Sequence, residues 1–287
     1  MKIAVTAASG KLGATIVKQL VKDIGKNQVV GIARTPAKAK HLGVEVRPGD
    51  YNSREQFDIA LKGIDAVLIV SGMDAPEKRI AQHRNIIEAA KTNGVKKIVY
   101  TSIIGEEAKT AFSPVVKSNR QTEQDIQRSG LDWVIGRNGL YIEPDFEYLE
   151  HYTKAGEIAN CAGNGQCAYT SRTELAVAYS HMLQEEQHNG HVYHLVGEPI
   201  TQAQLTEYIN QVFGTNLSYR PMTTEEYLLE RKAALGDFMG TIIGGIYNGI
   251  QQGTFNPESQ FDQATGRPHL SALAMAQAFK KAQEALV

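Results

Sequence analysis

The sequence predicts an α/β protein: a doubly wound parallel sheet of the Rossmann type with a smaller, mainly helical C-terminal lobe. Three observations predict it. Apolar strand patterns and amphipathic helix patterns alternate from the first residue, the sign of a parallel sheet joined by crossover helices. The strand patterns are near-continuous apolar runs, as expected for strands covered on both faces. A glycine-containing turn joins the first strand to the first helix.

The elements follow in order. Ile3-Ala4-Val5-Thr6 is a short apolar strand. Leu12, Ile16, Leu20 and Ile24 recur four apart with Val17 and Val21 beside them, one apolar face of a helix that Gly25 is placed to end. Val29 to Ala33 makes the second strand, and Thr35-Pro36 reads as an N-cap followed by the residue best tolerated in a first helical turn. Val44 to Val46, Ala66 to Val70 and Ile98 to Tyr100 supply three more strands, the last two separated by a helix with Ile80, Ile87 and Ala90 inward. A helix through Ile126 precedes a sixth strand, Trp133 to Ile135. Beyond Arg137 the rhythm loosens into a glycine-rich stretch, a helix from Arg172 to Leu183, the strand Val192 to Val196 and a helix opened by Thr201. The last 70 residues read as mostly helical, and their series Gly240, Gly244, Gly245, Gly249 and Gly253 reads as close helix packing or a mobile cleft wall. The expected division is residues 1–136 with 172–197 as a dinucleotide-binding domain, and 137–171 with 198–287 as a substrate lobe closing over a cleft.

Composition narrows the class of partner. The 287 residues are 42% hydrophobic and 21% charged, ordinary for a folded globular chain. Lys and Arg total 30 against 31 Asp and Glu, without long runs of one sign, so no nucleic-acid or membrane-surface partner is expected. The N-terminus lacks a signal-peptide pattern and no long apolar span occurs, so the expected location is the cytoplasm. Only two cysteines are present, Cys161 and Cys167, which suits a reduced protein, although the turn between them would allow a bridge.

Chemistry concentrates at Thr6-Ala7-Ala8-Ser9-Gly10-Lys11-Leu12-Gly13. A glycine in such a turn lets the backbone approach a pyrophosphate, and the helix start contributes free N–H groups and partial positive charge. Gly10 and Gly13 fill the last two places of the expected three-glycine spacing, but Ala7 stands in the first. If that place needs positive φ, alanine carries a steric penalty there. About 20 residues on, where NAD-binding sites usually place a carboxylate, stands Arg34, with Lys38 a helical turn beyond. A guanidinium pairs with a 2′-phosphate that a carboxylate would repel, so NADPH is the expected cofactor.

Other chemistries lack their residues. None of the 12 tyrosines has lysine four residues later, so the Tyr-x-x-x-Lys pair that serves simple ketone reduction is missing. His188, His191 and His194 resemble a metal cluster, but His191 and His194 fall on opposite faces of a strand, and no metal is expected.

Several motifs together carry a resemblance. They are the turn Thr6 to Gly13, Ala33-Arg34-Thr35-Pro36-Ala37-Lys38, Gly49-Asp50-Tyr51, Gln82-His83-Arg84-Asn85, Tyr100-Thr101-Ser102, Arg137-Asn138-Gly139-Leu140-Tyr141, and Ala162-Gly163-Asn164-Gly165 leading to Arg172. In these the chain resembles the NmrA-like branch of atypical short-chain dehydrogenases, in particular the type 2 NAD(P)H:quinone oxidoreductases and the triphenylmethane reductases. The resemblance runs from the first strand to the C-terminal part.

The resemblance implies that Thr6 to Gly13 wrap the pyrophosphate, Arg34 and Lys38 face the 2′-phosphate, and Asp50 and Tyr51 flank the adenine. It implies Ser71 and Gly72 along the ribose side, Thr101 and Ser102 near the nicotinamide ribose, and Asn138 and Tyr141 at the catalytic end. Gly139, Leu140 and Arg172 would line the substrate cleft. Ala7 departs from the family's glycine. Asn119 stands where some of these reductases carry a catalytic lysine and the quinone reductases a histidine, and Lys117 is two residues out of place.

The expected activity is hydride transfer from NADPH to a quinone or similar conjugated small molecule, in a monomer or homodimer. Hydride addition to a quinone yields a stabilised oxyanion, so a strong general acid is less needed than for a ketone. The alternative is a non-catalytic NADP-binding sensor of the NmrA type that regulates a partner protein. A sugar-nucleotide epimerase is weakened by the missing tyrosine–lysine pair.

Overall fold

The computed structural model describes residues 1–285. In chain order its strands are β1 (Ile3–Val5), β2 (Val29–Ala33), β3 (Glu45–Pro48), β4 (Ala66–Val70), β5 (Lys97–Ile103), β6 (Asp132–Asn138), β7 (Glu157–Asn160), β8 (Gln166–Ala168), β9 (His191–Leu195), β10 (Pro199–Thr201) and β11 (Ser218–Pro221). The helices are α1 (Lys11–Ile24), α2 (Arg54–Ala60), α3 (Pro76–Thr92), α4 (Ser113–Gln127), α5 (Glu143–Glu147), α6 (Leu149–Ala155), α7 (Arg172–Gln184), α8 (Gln202–Phe213), α9 (Thr224–Gln251), α10 (Phe261–Thr265) and α11 (Ala272–Glu284).

Seven strands form one parallel sheet in the order β3-β2-β1-β4-β5-β6-β9. The order reverses beside β1, so the turn after β1 opens at the switch point, on the carboxyl edge where ligands of such sheets lie. Alternation within the strands explains their unbroken apolar reading. Ile3, Val5, Leu68, Val99 and Val134 face α1 and α7, packing on Ile16, Leu20, Leu175 and Met182. Ala4, Val30, Ile32, Val67, Ile98 and Ile135 face the other way, onto Phe57, Ile86 and Ile126 of α2, α3 and α4. Each such large side chain contributes about 1.5–3 kcal/mol by leaving water.

A third core serves the C-terminal region, with Phe146, Ile158, Cys167, Leu205, Ile209 and Met275. There β8 pairs antiparallel with β10, and β7 pairs parallel with β11. From residue 218 on, the described residues therefore hold one strand, β11, besides helices. Capping boxes start α8 (Thr201 with Gln204) and α9 (Thr223 with Glu226).

Three local expectations need revision or resolve. The segment after Thr35 is a 3-10 helix, Pro36–Leu42, and the Thr35 side chain makes no capping bond. Its buried residues, Ala39 and Leu42, are three apart, the repeat of that tighter helix. Cys161 and Cys167 are both buried and free, not bridged. The glycine series resolves as close packing: α9 breaks at Gly236 (φ 79°, ψ 165°) and folds back on itself. A Cβ at Gly240 would lie 2.5 Å from Lys232 Cα, and one at Gly244 2.8 Å from Leu228. No helix among the described residues is long and apolar enough to cross a membrane.

Candidate functional site

Most of the predicted site residues gather along the carboxyl edge of the sheet because they end or follow its parallel strands, whereas Arg172 starts α7 after β8 of the small antiparallel pair. The turn after β1 is held by its backbone: Ala8 N–H donates to Ile32 O (3.0 Å) and Gly10 N–H to Ala7 O (2.9 Å). Ala7 has φ 49°, the one non-glycine residue at positive φ among the described residues. The strained condition set out from the sequence is therefore met. Gly13 is needed for a different reason, since a Cβ there would lie 2.5 Å from Ala7 O. Gly10 caps α1 without any side-chain bond, so the first N–H groups of that helix keep no capping partner.

Within the turn, Ser9, Gly10 and Lys11 are exposed, and Lys11 Nζ pairs with Glu147 at 2.8 Å. Ala8, Leu12 and Gly13 are buried. The Thr6 side chain points into the sheet: Oγ1 accepts from Val70 N–H (2.9 Å) and donates to the Tyr51 hydroxyl (2.6 Å), which donates in turn to Val70 O (2.7 Å). Burial pushes the Tyr51 phenol well above its ordinary pKa, so it stays a donor. Tyr51 is thus anchored by its hydroxyl. Asp50 is half-buried, and its Oδ1 accepts from the backbone and side chain of Asn52.

Arg34 and Lys38 are exposed and form no ion pair among the described residues. Across the opening, the Gln82 bond first, then Lys78 and Arg34, hold the Asp74 carboxyl below its ordinary range.

The end of β4 is built from below. Ser71 N–H donates to Thr101 Oγ1 (2.8 Å), and Gly72 N–H donates to His83 Nε2 (3.0 Å). His83 Nδ1 meets Thr122 Oγ1 at 2.9 Å, so the ring is neutral with its proton on Nδ1. Burial and then the Arg79 charge push its pKa down to about 3. Tyr100 and Ser71 hydroxyls both donate to Asn119 Oδ1, at 2.7 and 3.1 Å, while Asn119 Nδ2 donates to Val115 O.

Ser102 differs from Thr101 in its surroundings. Its side chain lies on the opposite side of β5 from Thr101 and donates to buried Glu123 at 2.5 Å. Arg120 donates to Ser102 Oγ at 3.1 Å, and Arg120 and Arg137 both pair with Glu123. In the structure the hydroxyl proton is given to this cluster. Burial raises the Glu123 pKa, but the Arg137 bond, the Arg120 charge and the Ser102 bond outweigh it and leave it below the usual range. The cluster borders a cavity of about 440 Å³ that His194 also lines.

At the end of β6, Asn138 is 3% exposed and its Oδ1 accepts from Tyr179 at 2.5 Å. Gly136 permits that contact, because a Cβ there would lie 2.4 Å from the Tyr179 oxygen. Asn138 Nδ2 reaches the Tyr141 hydroxyl at 3.5 Å, and burial keeps that phenol protonated by raising its pKa. The Arg172 guanidinium stands over the Tyr141 ring, 5.6 Å from its centroid, and pairs with Glu147. Gly139 N–H donates to Leu195 O, and Leu140 O accepts from Thr170. The structure thus brings Asn138, Tyr141 and Arg172 together. Sequence reasoning gave no role to Arg79, Tyr100, Thr122, Glu123 or Tyr179. A usable signal existed for some: Arg79 and His83 on α3, and Asn119 and Glu123 on α4, are four apart and so share a face.

The chain was compared with known proteins. A family model described as NAD(P)H-binding matches residues 7–185. Quinone oxidoreductase 2 of Escherichia coli is 30% identical over 272 residues, 93% of this chain and 94% of that protein. An NmrA-like family domain-containing oxidoreductase of Aspergillus flavus is 29% identical over 236 residues, 79% of this chain and 76% of its own. Among solved structures, the Escherichia coli NADPH-dependent quinone oxidoreductase complexed with NADPH superposes with a TM-score of 0.88 at 29% identity, covering 96% of this chain and 99% of its own. The Citrobacter triphenylmethane reductase complexed with NADP(H) gives 0.87 at 31%, covering 98% and 100%. A glycine turn leading into a helix start whose first amides have no side-chain cap is a setting that favours a bound phosphate. The chain belongs to the NAD(P)H-binding family, among its NmrA-like oxidoreductases.

Proposed function

We propose that this protein is an NADPH-dependent reductase that transfers a hydride to a quinone or a similar conjugated acceptor. The observation that carries the reading is the Asn138–Tyr141–Arg172 group, held rigidly at the end of β6 where no Tyr-x-x-x-Lys pair exists. Such a group orients an acceptor and donates hydrogen bonds, but contains no strong acid. Arg34 and Lys38, exposed and unpaired among the described residues, suit the 2′-phosphate that distinguishes NADPH from NADH. The relatives named as quinone and triphenylmethane reductases support the acceptor class.

When bound, the reduced dinucleotide supplies the hydride. The chain's own part is to hold the acceptor and exclude water. Tyr141, kept protonated by burial, donates a hydrogen bond toward the acceptor oxygen as negative charge develops there, and solvent supplies the final protons. Asn138, fixed by Tyr179, orients the Tyr141 hydroxyl. In this reading residues 137–171 with 198–287 form the substrate lobe over a dinucleotide-binding part of 1–136 with 172–197, in a cytoplasmic monomer or homodimer.

The test follows oxidation of NADPH and NADH by absorbance with a panel of soluble quinones and a triarylmethane dye, beside fluorescence titration of each cofactor. Turnover preferring NADPH is the expected result. Tight NADPH binding with no turnover on any acceptor would replace the reductase with the NADP-binding sensor.

A further inference from the structure

Arg79 lies on α3, and 5% of it is exposed. No Asp or Glu pairs with it among the described residues, and its hydrogen-bond partner there is the Ser71 hydroxyl. Its Nη2 donates to Ser71 Oγ at 2.5 Å, and its Nε is buried without any partner. Burial draws its pKa down, yet a guanidinium stays charged at every working pH. Buried charges in folded chains are paired or ligand-bound, because an isolated one loses its hydration without repayment. This cation lies under the ends of β4 and β5, on the carboxyl edge beside the switch point, where a dinucleotide of this family binds.

We propose that Arg79 is a cofactor-binding charge whose counter-ion is the dinucleotide itself, and that it makes the site prefer the reduced form to the oxidised one. The preference follows from charge alone. The oxidised nicotinamide ring carries one positive charge that the reduced ring lacks, so a fixed buried cation repels the oxidised form more. The inference rests on the NAD(P)H-binding reading of the same cleft. It also explains the orphaned Nε: the free chain carries a destabilised residue whose use appears only with ligand.

The test compares Arg79→Met and Arg79→Lys with the wild type in two measurements: thermal unfolding without cofactor, and dissociation constants for NADPH and NADP+ by calorimetry. Methionine fills much of the space without charge. The free Arg79→Met protein is therefore expected to melt at or above the wild-type temperature. Its NADPH affinity should fall by about tenfold, and its NADP+ affinity by a smaller factor. Arg79→Lys, which keeps the charge, should retain most of the preference for NADPH. A lower melting temperature or an unfolded Arg79→Met chain would overturn the proposal, since the arginine would then stabilise the free protein. So would an NADPH affinity changed less than about threefold, or equal losses for both cofactors. If the wild type bound neither cofactor, the dinucleotide reading would fail and this one with it. Wild-type binding that ignores Arg79→Met sinks the role of Arg79 alone.

Discussion

Ala7→Gly relieves a strain whose size follows from the backbone. Ala7 holds φ 49°, and its carbonyl accepts from Gly10 N–H, so the turn itself fixes this conformation. An L-residue in that region costs about 1–2 kcal/mol that glycine avoids. Glycine also loosens the unfolded chain, which returns about 0.4–1 kcal/mol of the gain. The net expectation is about 0.5–1 kcal/mol of stabilisation, or roughly 1–3 °C in Tm for a chain of this size. Calorimetric unfolding of the two proteins without cofactor reads it directly, and titration with NADPH should give an affinity equal or higher. Gly13→Ala is the control in the other direction, because its Cβ would meet Ala7 O at 2.5 Å. It should lower Tm by several degrees, about 1–3 kcal/mol of overpacking, and weaken cofactor binding. A lower Tm for Ala7→Gly, or a tolerated Gly13→Ala, would refute the account of this turn.

Other expectations come from buried charge and tight packing. Glu123→Gln leaves Arg120 and Arg137 without a counter-ion and should cost about 3–5 kcal/mol in a urea titration at neutral pH. Because the folded Glu123 pKa is depressed, its stabilisation is present above the unfolded pKa and fades as pH falls through the folded one. The variant should therefore lose less than the wild type on acidification below about pH 4. Asp145 has the opposite sign: burial raises its pKa to about 6, so stability present below its unfolded pKa is lost as pH rises toward and through that value. Asp145→Asn, which keeps an acceptor for Tyr152, should be more stable than the wild type by about 2–3 kcal/mol at pH 8 and nearly equal to it at pH 4. Tyr141→Phe should reduce kcat with a quinone by about tenfold while leaving NADPH affinity unchanged, and unchanged kcat at saturating acceptor would remove its proposed role.

The sequence by itself determined the sheet, its crossover helices and the glycine turn after β1, because these depend on local periodicity and chain order. Strand-length apolar runs, helix repeats near four and a turn after the first strand leave few topologies open. The proposed cofactor cations Arg34 and Lys38 were picked out for the same reason, since they stand at a fixed offset from that turn, and both are exposed. Tertiary structure alone decided how side chains from distant segments share the space beneath the site. Whether Ala7 is strained depends on a backbone angle that composition does not specify. The bond from the Ser102 hydroxyl to the Glu123 carboxylate, 21 positions along the chain, depends on the face of β5 that Ser102 occupies. Tyr179 reaches Asn138 across 41 positions because Gly136 leaves room for it. Arg79 looks in sequence like any charged residue on a helix, and only packing reveals that it is buried without a counter-ion among the described residues and with its Nε unpartnered. Local pattern encodes direction and period, whereas burial and pairing are properties of contacts closed over long loops, and those are not written in any one segment.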